Sequence, residues 1–212
     1  MPIEILFQSG DVIAVNKPVG LASIPGQGQE TDLVTSLSRQ IGSRLYVVHR
    51  LDKETSGVMV FAKGPDIHRY LNGLLENHLV HKTYLALVCG RTNDAGKIKK
   101  PLRQFGSGRT AVDLRKGKPA LTEFETFRRF KDYTLIKVRP ASGRRHQIRA
   151  HFYSIGHPVA GDTVYGKNPG QAGFSRLMLH SLSIEFSLPD GTAFKAEAPM
   201  PALFSNQLLD LP

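Results

Sequence analysis

Apolar residues in this chain recur mainly in short runs or in alternation with polar residues, which is the pattern of β-strands. The spacing differs in Asp66–Leu79, where apolar residues three and four positions apart share one face and predict a helix. A second helix is predicted over His146–Ile155, followed by Gly156, a residue type that suits the left-handed position after a helix. The strand pattern is found in Ile3–Phe7, Val12–Val15, Gly57–Ala62, Tyr84–Val88, Leu121–Phe127, Tyr133–Val138, Leu177–Leu188 and Thr192–Ala196.

These segments predict the fold class. Strands outnumber helices and the connections between them are short, which favours antiparallel pairing. The last two strands form a predicted hairpin across the turn Pro189-Asp190-Gly191. We therefore expect an α+β fold, a mainly antiparallel, bent mixed sheet flanked by helices and loops. No internal repeat or Pro/Ser-rich linker divides the 212 residues, which predicts a single domain over residues 1–212.

The composition limits the cellular setting. Cys89 is the only cysteine, so an intrachain disulfide is excluded, and its apolar neighbours predict a buried, inert thiol. The first residues lack the basic and long apolar parts of a secretory signal. No run reaches the ~20 apolar residues that are needed to span a bilayer. We therefore expect a cytoplasmic protein without membrane contact.

The charge indicates a partner. Lys and Arg number 28 against 18 Asp and Glu, a net charge of +10 that favours a polyanion such as nucleic acid. Residues 97–118, called the basic segment below, contain one acid, Asp113, and glycines that indicate loops. Basic loops suit a phosphate backbone, whose contacts give affinity without sequence information. The basic residues of the segment are Lys97, Lys99, Lys100, Arg103, Arg109, Arg115, Lys116 and Lys118.

Two polar clusters follow apolar segments. Residues 49–57 read His-Arg-Leu-Asp-Lys-Glu-Thr-Ser-Gly, and Asp52 among them could simply cap a turn. Residues 142–149 read Ser-Gly-Arg-Arg-His-Gln-Ile-Arg and could be an exposed, basic helix start. The helix dipole disfavours cations at that end, so the arginines indicate an anionic partner, either a carboxylate or a phosphate.

Together with further motifs, these clusters resemble the RluA family of pseudouridine synthases. The matching segments follow the family's order and extend from near the N-terminus to about residue 200. The nine residues around Asp52 and the arginine cluster are the most specific of them. The segments are Asn16–Gly20, His49–Gly57, Lys82–Tyr84, Gly143–Arg149, His157–Asp162 with Tyr165–Gly166, and Arg176–His180.

The resemblance implies roles for individual residues. Asp52 would be the catalytic carboxylate, and Arg144 would pair with it. Tyr84 would pack against the target base and help with proton transfer. Arg50 would hold the RNA after the target base leaves the stack. Contact with RNA is also expected for His49, Lys99, Lys100, Arg103 and Arg145.

Members of the family isomerise uridine to pseudouridine in RNA. The reaction breaks a C–N glycosidic bond, rotates the uracil and forms a C–C bond, without redox change or group donor, so no cofactor is expected. The nucleotide must leave the stack, and the resemblance assigns the floor of the receiving pocket to Leu177 and Leu179. Asp52 would then attack C1′ or C6, or take a proton from the sugar, and the sequence leaves all three open.

Other functions fit the sequence less well. His146 and His151 lack the helical i,i+4 spacing and an accompanying Cys or Glu ligand set, so no metal site is expected. An idle RNA-binding or RNA-folding protein on the same scaffold would lack the aspartate, the tyrosine or the arginine, and all three are present. A glycoside hydrolase needs two carboxylates that flank the bond, and Glu54 offers no separate second site.

The resemblance also bears on the RNA that is modified. It starts within the first few residues, so the S4-type module that often precedes the catalytic domain is expected to be absent. This weakens any inference towards large ribosomal RNA. We expect a monomer that acts on a stem-loop of rRNA or tRNA.

Overall fold

The computed structural model describes residues 2–26, 31–166 and 173–212. These residues form two compact units, one of residues up to Lys82 with Ser181–Pro199, the other of Thr83–His180 with Met200–Pro212. The helices are α1 (Leu33–Ile41), α2 (Pro65–Glu76), α3 (Gln147–Tyr153) and α4 (Ala202–Leu209). The strands are β1 (Glu4–Gln8), β2 (Val12–Lys17), β3 (Tyr46–Val47), β4 (Ser56–Ala62), β5 (His81–Cys89), β6 (Ala95–Lys99), β7 (Leu102–Gln104), β8 (Thr110–Val112), β9 (Leu121–Arg129), β10 (Tyr133–Pro140), β11 (Leu179–Ser187) and β12 (Ala193–Glu197).

The first unit is built around β4. Its strand order is β1-β2-β4-β11-β12, and the pairs β1–β2, β2–β4 and β11–β12 are antiparallel. Every residue of β4 is buried, as its apolar sequence predicts. Val60 of β4 belongs to one cluster with Leu71 of α2 and the stacked rings Phe186 and Phe194. This core fixes the start of β4, which follows the polar cluster around Asp52.

The second unit has the antiparallel strand order β5-β10-β9-β6. Strands β7 and β8 form a separate antiparallel hairpin, called the basic hairpin below because it lies within the basic segment. Helix α3 packs on the sheet, where Phe152 meets Phe124 of β9 edge to face at 5.2 Å between ring centroids. None of the helices in the described residues is long and apolar enough to cross a membrane.

The α+β prediction is confirmed, and each predicted strand and helix is present with ends shifted by a few residues. Helix α2 ends at Glu76 instead of Leu79, because His78 takes a left-handed conformation (φ 58°) and Leu79 N–H bonds back to Leu74 O. The prediction missed α1, α4, β3 and the short strands β6 to β8. Helix α1 carried readable signals, since Asp32 caps its first turn and Gly42 ends it.

Candidate active site

Asp52 lies in the loop of residues 48–55 between β3 and β4, called the Asp52 loop below. Its side chain is half-buried, whereas Arg50 is exposed. Thr55 N–H donates to Asp52 O at 3.0 Å and so turns the chain into β4. Gly57 then has φ +114°, and a Cβ there would overlap the backbone of Ser181, so only glycine fits where the loop joins the strand.

The peptides on both sides of Asp52 are held by residues 17–23. The buried Ser23 hydroxyl donates to Leu51 O at 2.7 Å and accepts from Leu51 N–H at 3.1 Å. On the other side, Lys53 O accepts from Gly20 N–H at 2.9 Å and from Lys17 Nζ at 3.0 Å. The Asp52 backbone is therefore fixed by its neighbours, which defines where the carboxylate can point.

Lys17 organises this support. Its ammonium is fully buried and donates to Pro18 O at 2.9 Å, Leu21 O at 2.7 Å and Lys53 O. Three carbonyls match the three N–H donors of a lysine, which offsets part of the cost of burying the charge. The motif Asn16–Gly20 was recognised in the sequence, but the supporting role of Lys17 within it was not predicted.

His49 has a backbone partner in the same unit. Its Nε2 accepts from Val60 N–H at 3.0 Å, so the ring is neutral with its proton on Nδ1. Burial, with a smaller contribution from the positive charge of Lys82, lowers the pKa of His49 to about 3. This contact favours a structural role for the ring, and the expected RNA contact of His49 stays a prediction.

Arg144 and Arg145 are exposed in residues 141–146, called the arginine loop below, between β10 and α3. The buried Gln147 holds this loop. Its Oε1 accepts from Ser142 Oγ at 2.7 Å and from Arg144 N–H at 3.1 Å, and its Nε2 donates to Leu121 O at 2.9 Å. The amide thus ties the arginine loop to β9. Gln147 lies in the recognised motif, but no role was predicted for it.

The remaining predicted catalytic groups lie in the second unit. The Arg144 guanidinium donates from Nε to Pro119 O at 3.4 Å, and its pairing with Asp52 stays a prediction. Tyr84 is buried in β5, where its register partner on β10 is Val138. A buried aromatic ring on a strand is a rigid surface, which suits packing against a base.

Leu177 and Leu179, predicted to line the pocket, are both buried. The buried Arg176 donates to Leu177 O at 3.1 Å and to Leu179 O at 3.4 Å, so one guanidinium fixes the backbone of both leucines. Gly161 permits this approach, because a Cβ there would overlap Arg176 O. The support by Arg176 was not foreseen from the sequence.

The predicted RNA-binding residues of the basic segment have different surroundings. Lys99 is exposed at the end of β6. Lys100 is half-buried and donates to Ser154 O, after the end of α3, at 3.1 Å. Arg103 is exposed and pairs with Asp113 at 3.3 Å. These contacts favour a structural role for Lys100 and Arg103. The RNA contacts of Lys99, Lys100 and Arg103 stay predictions.

A buried ion pair, also not foreseen, supports the start of α3. Arg149 meets Asp162 through two parallel hydrogen bonds of 2.7 and 2.8 Å. Asp162 also accepts from Val164 N–H and Tyr165 N–H. A bidentate pair whose carboxylate has further donors tolerates burial, and it anchors α3 to residues 157–166. Both charged residues stood in recognised motifs.

Comparison with known proteins identifies the class to which this arrangement belongs. Residues 11–154 match the protein family described as RNA pseudouridylate synthase. The human protein "RNA pseudouridylate synthase domain containing 4" has a similar structure, with a TM-score of 0.81 and 25% identity over 99% of this chain and 94% of that one. The chain therefore belongs to the RNA pseudouridylate synthases, isomerases that convert uridine in RNA, and the predicted family is confirmed.

Two bacterial proteins are also similar to this chain. The ribosomal large subunit pseudouridine synthase D of Haemophilus ducreyi is 32% identical over 224 residues, which cover 96% of this chain and 69% of that protein. The ribosomal large subunit pseudouridine synthase C of Pasteurella multocida is 37% identical over 209 residues, covering 93% and 64% respectively. The chain thus spans about two thirds of the length of these two proteins.

Proposed function

We propose that this chain isomerises uridine to pseudouridine in the RNA of the large ribosomal subunit, with Asp52 as the catalytic carboxylate. Two relatives are named for that subunit, which supports the choice of RNA. The family match begins and ends at residues 11 and 154, one in each compact unit, which supports a single catalytic domain made of both. All the proposed site residues lie in one chain, so a monomer suffices for the reaction, and the proposed ribosomal substrate favours the cytoplasm.

The position of Asp52 is the observation that supports this function most directly. A carboxylate that must reach a defined atom of a flipped nucleotide gains from a fixed backbone, because little entropy is then lost in the reaction. The hydrogen bonds of Ser23 to Leu51, and of Lys17 and Gly20 to Lys53, provide that fixation on both sides of Asp52. A residue that only capped a turn would not need it.

The other site residues have separate proposed roles. Tyr84 offers an aromatic face to the flipped uracil, and Arg144 pairs with the ionised carboxylate, a task that suits the permanently charged guanidinium. Leu177 and Leu179 exclude water from the pocket floor. Arg50 occupies the space that the flipped base leaves. The reaction needs no cofactor, since its bonds are exchanged within one nucleotide.

The test exchanges Asp52 and a neighbouring acid separately. Asp52→Asn removes the ionised carboxylate while nearly preserving shape, so pseudouridine formation should fall by at least about a hundredfold. Glu54→Gln is the matched control: Glu54 is exposed two residues further along the same loop and should be dispensable. Pseudouridines are mapped at nucleotide resolution in transcribed large-subunit rRNA after incubation with each folded variant.

The outcomes separate the parts of the proposal. Substantial turnover by a folded Asp52→Asn protein would disprove the catalytic assignment. Equal losses in both variants would point to a two-carboxylate mechanism. Wild-type activity on tRNA alone would keep the isomerase and reject the large-subunit substrate.

A further inference from the structure

An exposed arginine and an exposed tyrosine lie together beside the basic hairpin. The Arg109 guanidinium carbon is 5.2 Å from the ring centroid of Tyr153 and 5.2 Å from that of Tyr165. Tyr153, the last residue of α3, is 48% exposed, whereas Tyr165 is buried. Arg109 thus lies beside two rings, a buried one and an exposed one, and nearly half of Tyr153 faces solvent.

This arrangement is fixed by contacts beneath it. The Tyr165 hydroxyl accepts from Thr110 N–H at 2.8 Å and lies 3.1 Å from His146 Nδ1. The centroids of the Tyr153 and Tyr165 rings are 6.0 Å apart. Arg109 O accepts from Phe105 N–H at 2.9 Å, which closes the end of the basic hairpin. A ligand that used this surface would therefore not have to order it first, which lowers the entropic cost of binding.

The charge around Tyr153 is positive. Arg145 reaches the hairpin at Gly108, and Arg103 lies over the exposed ring of Phe105 at 5.2 Å. Asp113 of the basic segment pairs with Arg103, and Asp162, three residues before Tyr165, pairs with a buried arginine of α3, so both carboxylates have cationic partners. A polyanion with flat aromatic parts matches such a surface. Single-stranded RNA has that chemistry, whereas a duplex keeps the faces of its bases stacked inside.

We propose that Tyr153 and Arg109 form a stacking platform for an unpaired base of the RNA, a base other than the uridine that is modified. The inference rests on the proposed function only in taking RNA as the ligand. Tyr153 would stack on the base with one face of its ring. Arg109 would contact the tyrosine ring and attract a phosphate next to the stacked base. The platform adds a base contact to the phosphate contacts expected from the basic segment.

The composition allows a direct spectroscopic test. The chain contains no tryptophan, so Tyr153→Trp creates a single reporter at the platform with an aromatic ring retained. The probe is a single-stranded oligouridylate of about twelve nucleotides, within the length that one such site covers. Stacking of a uracil on the indole should quench the tryptophan fluorescence in proportion to the oligonucleotide that is bound.

Phe127→Trp is the matched control. Phe127 is also an exposed aromatic residue with a cation beside it, since Lys137 Nζ lies 4.9 Å from its ring. Phe127 lies beside Lys137, whose register partner Glu125 points away from α3, because side chains alternate along β9 and Phe124 contacts that helix. Oligouridylate should leave the fluorescence of this control unchanged.

Affinity gives the second measurement. Tyr153→Ala should weaken oligouridylate binding by about tenfold or more, whereas Tyr153→Phe, which keeps the ring, should stay within about twofold of wild type. Both variants are compared by circular dichroism, so that a folding defect is recognised. If Tyr153→Ala is misfolded, the Phe and Trp variants still decide the question.

The results distinguish this inference from the proposed function. Quenching at residue 153 but not at 127, with loss of affinity in Tyr153→Ala, supports the platform. Unchanged fluorescence at saturating oligouridylate, or equal quenching in both reporters, overturns it even if the wild type forms pseudouridine normally. If the wild type forms no pseudouridine but the Tyr153→Trp variant shows the selective quenching, the proposed function is rejected and the platform stays in place.

Discussion

The buried Ser23 helps to hold the Asp52 loop and the buried Gln147 holds the arginine loop, yet the two side chains differ in how many segments they connect. Ser23 places both hydrogen bonds of its hydroxyl on one residue, Leu51. Gln147 divides its amide, with the oxygen on the arginine loop and the nitrogen on β9, where it donates to Leu121 O and to Thr122 Oγ1. The hydrogen bonds of Ser23 therefore act only on the Asp52 loop. Those of Gln147 are part of the packing between α3 and β9.

This difference predicts which property each support controls. Loss of the Ser23 hydroxyl leaves one buried N–H and one carbonyl to find other partners. Loss of the Gln147 amide leaves groups on two segments, the arginine loop and β9, without this hydrogen-bond partner. Each unsatisfied buried group costs about 1–3 kcal/mol, so Gln147 should dominate stability. Ser23 should weigh more on the rate, since its contacts adjoin the catalytic carboxylate.

The largest effect is expected for Gln147→Met, which keeps the length of the side chain and removes its hydrogen bonds. The free energy of unfolding should fall by about 2–4 kcal/mol, measured by urea titration, because the groups on the arginine loop and β9 lose their partner. The single-turnover rate should fall too, since Arg144 loses its backbone support. Gln8→Met, at an exposed position of β1, serves as the control. A stable Gln147→Met protein would show that the two loops are supported alike.

Ser23→Ala sharpens the comparison from the other side. We expect a loss of about 1–2 kcal/mol in the free energy of unfolding. At a temperature where the variant is fully folded, kcat should fall about tenfold with KM nearly unchanged, because the Asp52 backbone is less restrained while the RNA contacts remain. Ser23→Thr restores the hydroxyl and should recover part of kcat. Ser43→Ala, at an exposed serine, is the control. A rise in KM alone would place Ser23 in RNA binding instead.

His49 of the Asp52 loop should also make the free energy of unfolding depend on pH. The pKa of His49 is lowered to about 3 in the folded protein, against about 6.5 when unfolded. Between these values only the unfolded chain binds the extra proton, so the free energy of unfolding falls as the pH falls through this window. This contribution is fully present above pH of about 6.5, and its slope is at most about 1.4 kcal/mol per pH unit.

The measurement compares wild type with His49→Gln, whose amide oxygen can still accept from Val60 N–H. Between pH 7 and pH 5 the variant should lose up to about 2 kcal/mol less stability than the wild type. His151, whose pKa burial also lowers, is unchanged in both proteins and so cancels in the comparison. Identical pH slopes would mean that His49 is protonated in the folded state.

The sequence revealed the chemically distinctive residues better than their supports. Asp52 and Arg144 stand in contiguous clusters that can be read along the chain. Ser23 is 28 residues from Leu51, and Gln147 is 26 residues from Leu121, so these contacts depend on tertiary packing that no local spacing encodes. The strands were predicted well because apolar alternation is local. The short strands β6 to β8 were missed, since segments of three to five residues are too short to show that alternation clearly.

The smallest expected effect separates two neighbouring lysines that the sequence treated alike. Lys99 is exposed and free to contact a phosphate, so Lys99→Gln should reduce the slope of log affinity against log salt by about 0.7–0.9, one released counterion. Lys100 donates to Ser154 O, so Lys100→Gln should leave that slope nearly unchanged and lower the free energy of unfolding by about 1 kcal/mol. Lys195→Gln controls for net charge, because Lys195 is paired with Glu197 on β12. RNA binding is titrated at several salt concentrations for each variant.

A slope that falls as much for Lys100 as for Lys99 would mean that Lys100 leaves its carbonyl when RNA binds. The basic segment would then act as a uniform electrostatic surface, and the contact with Ser154 would belong only to the free protein.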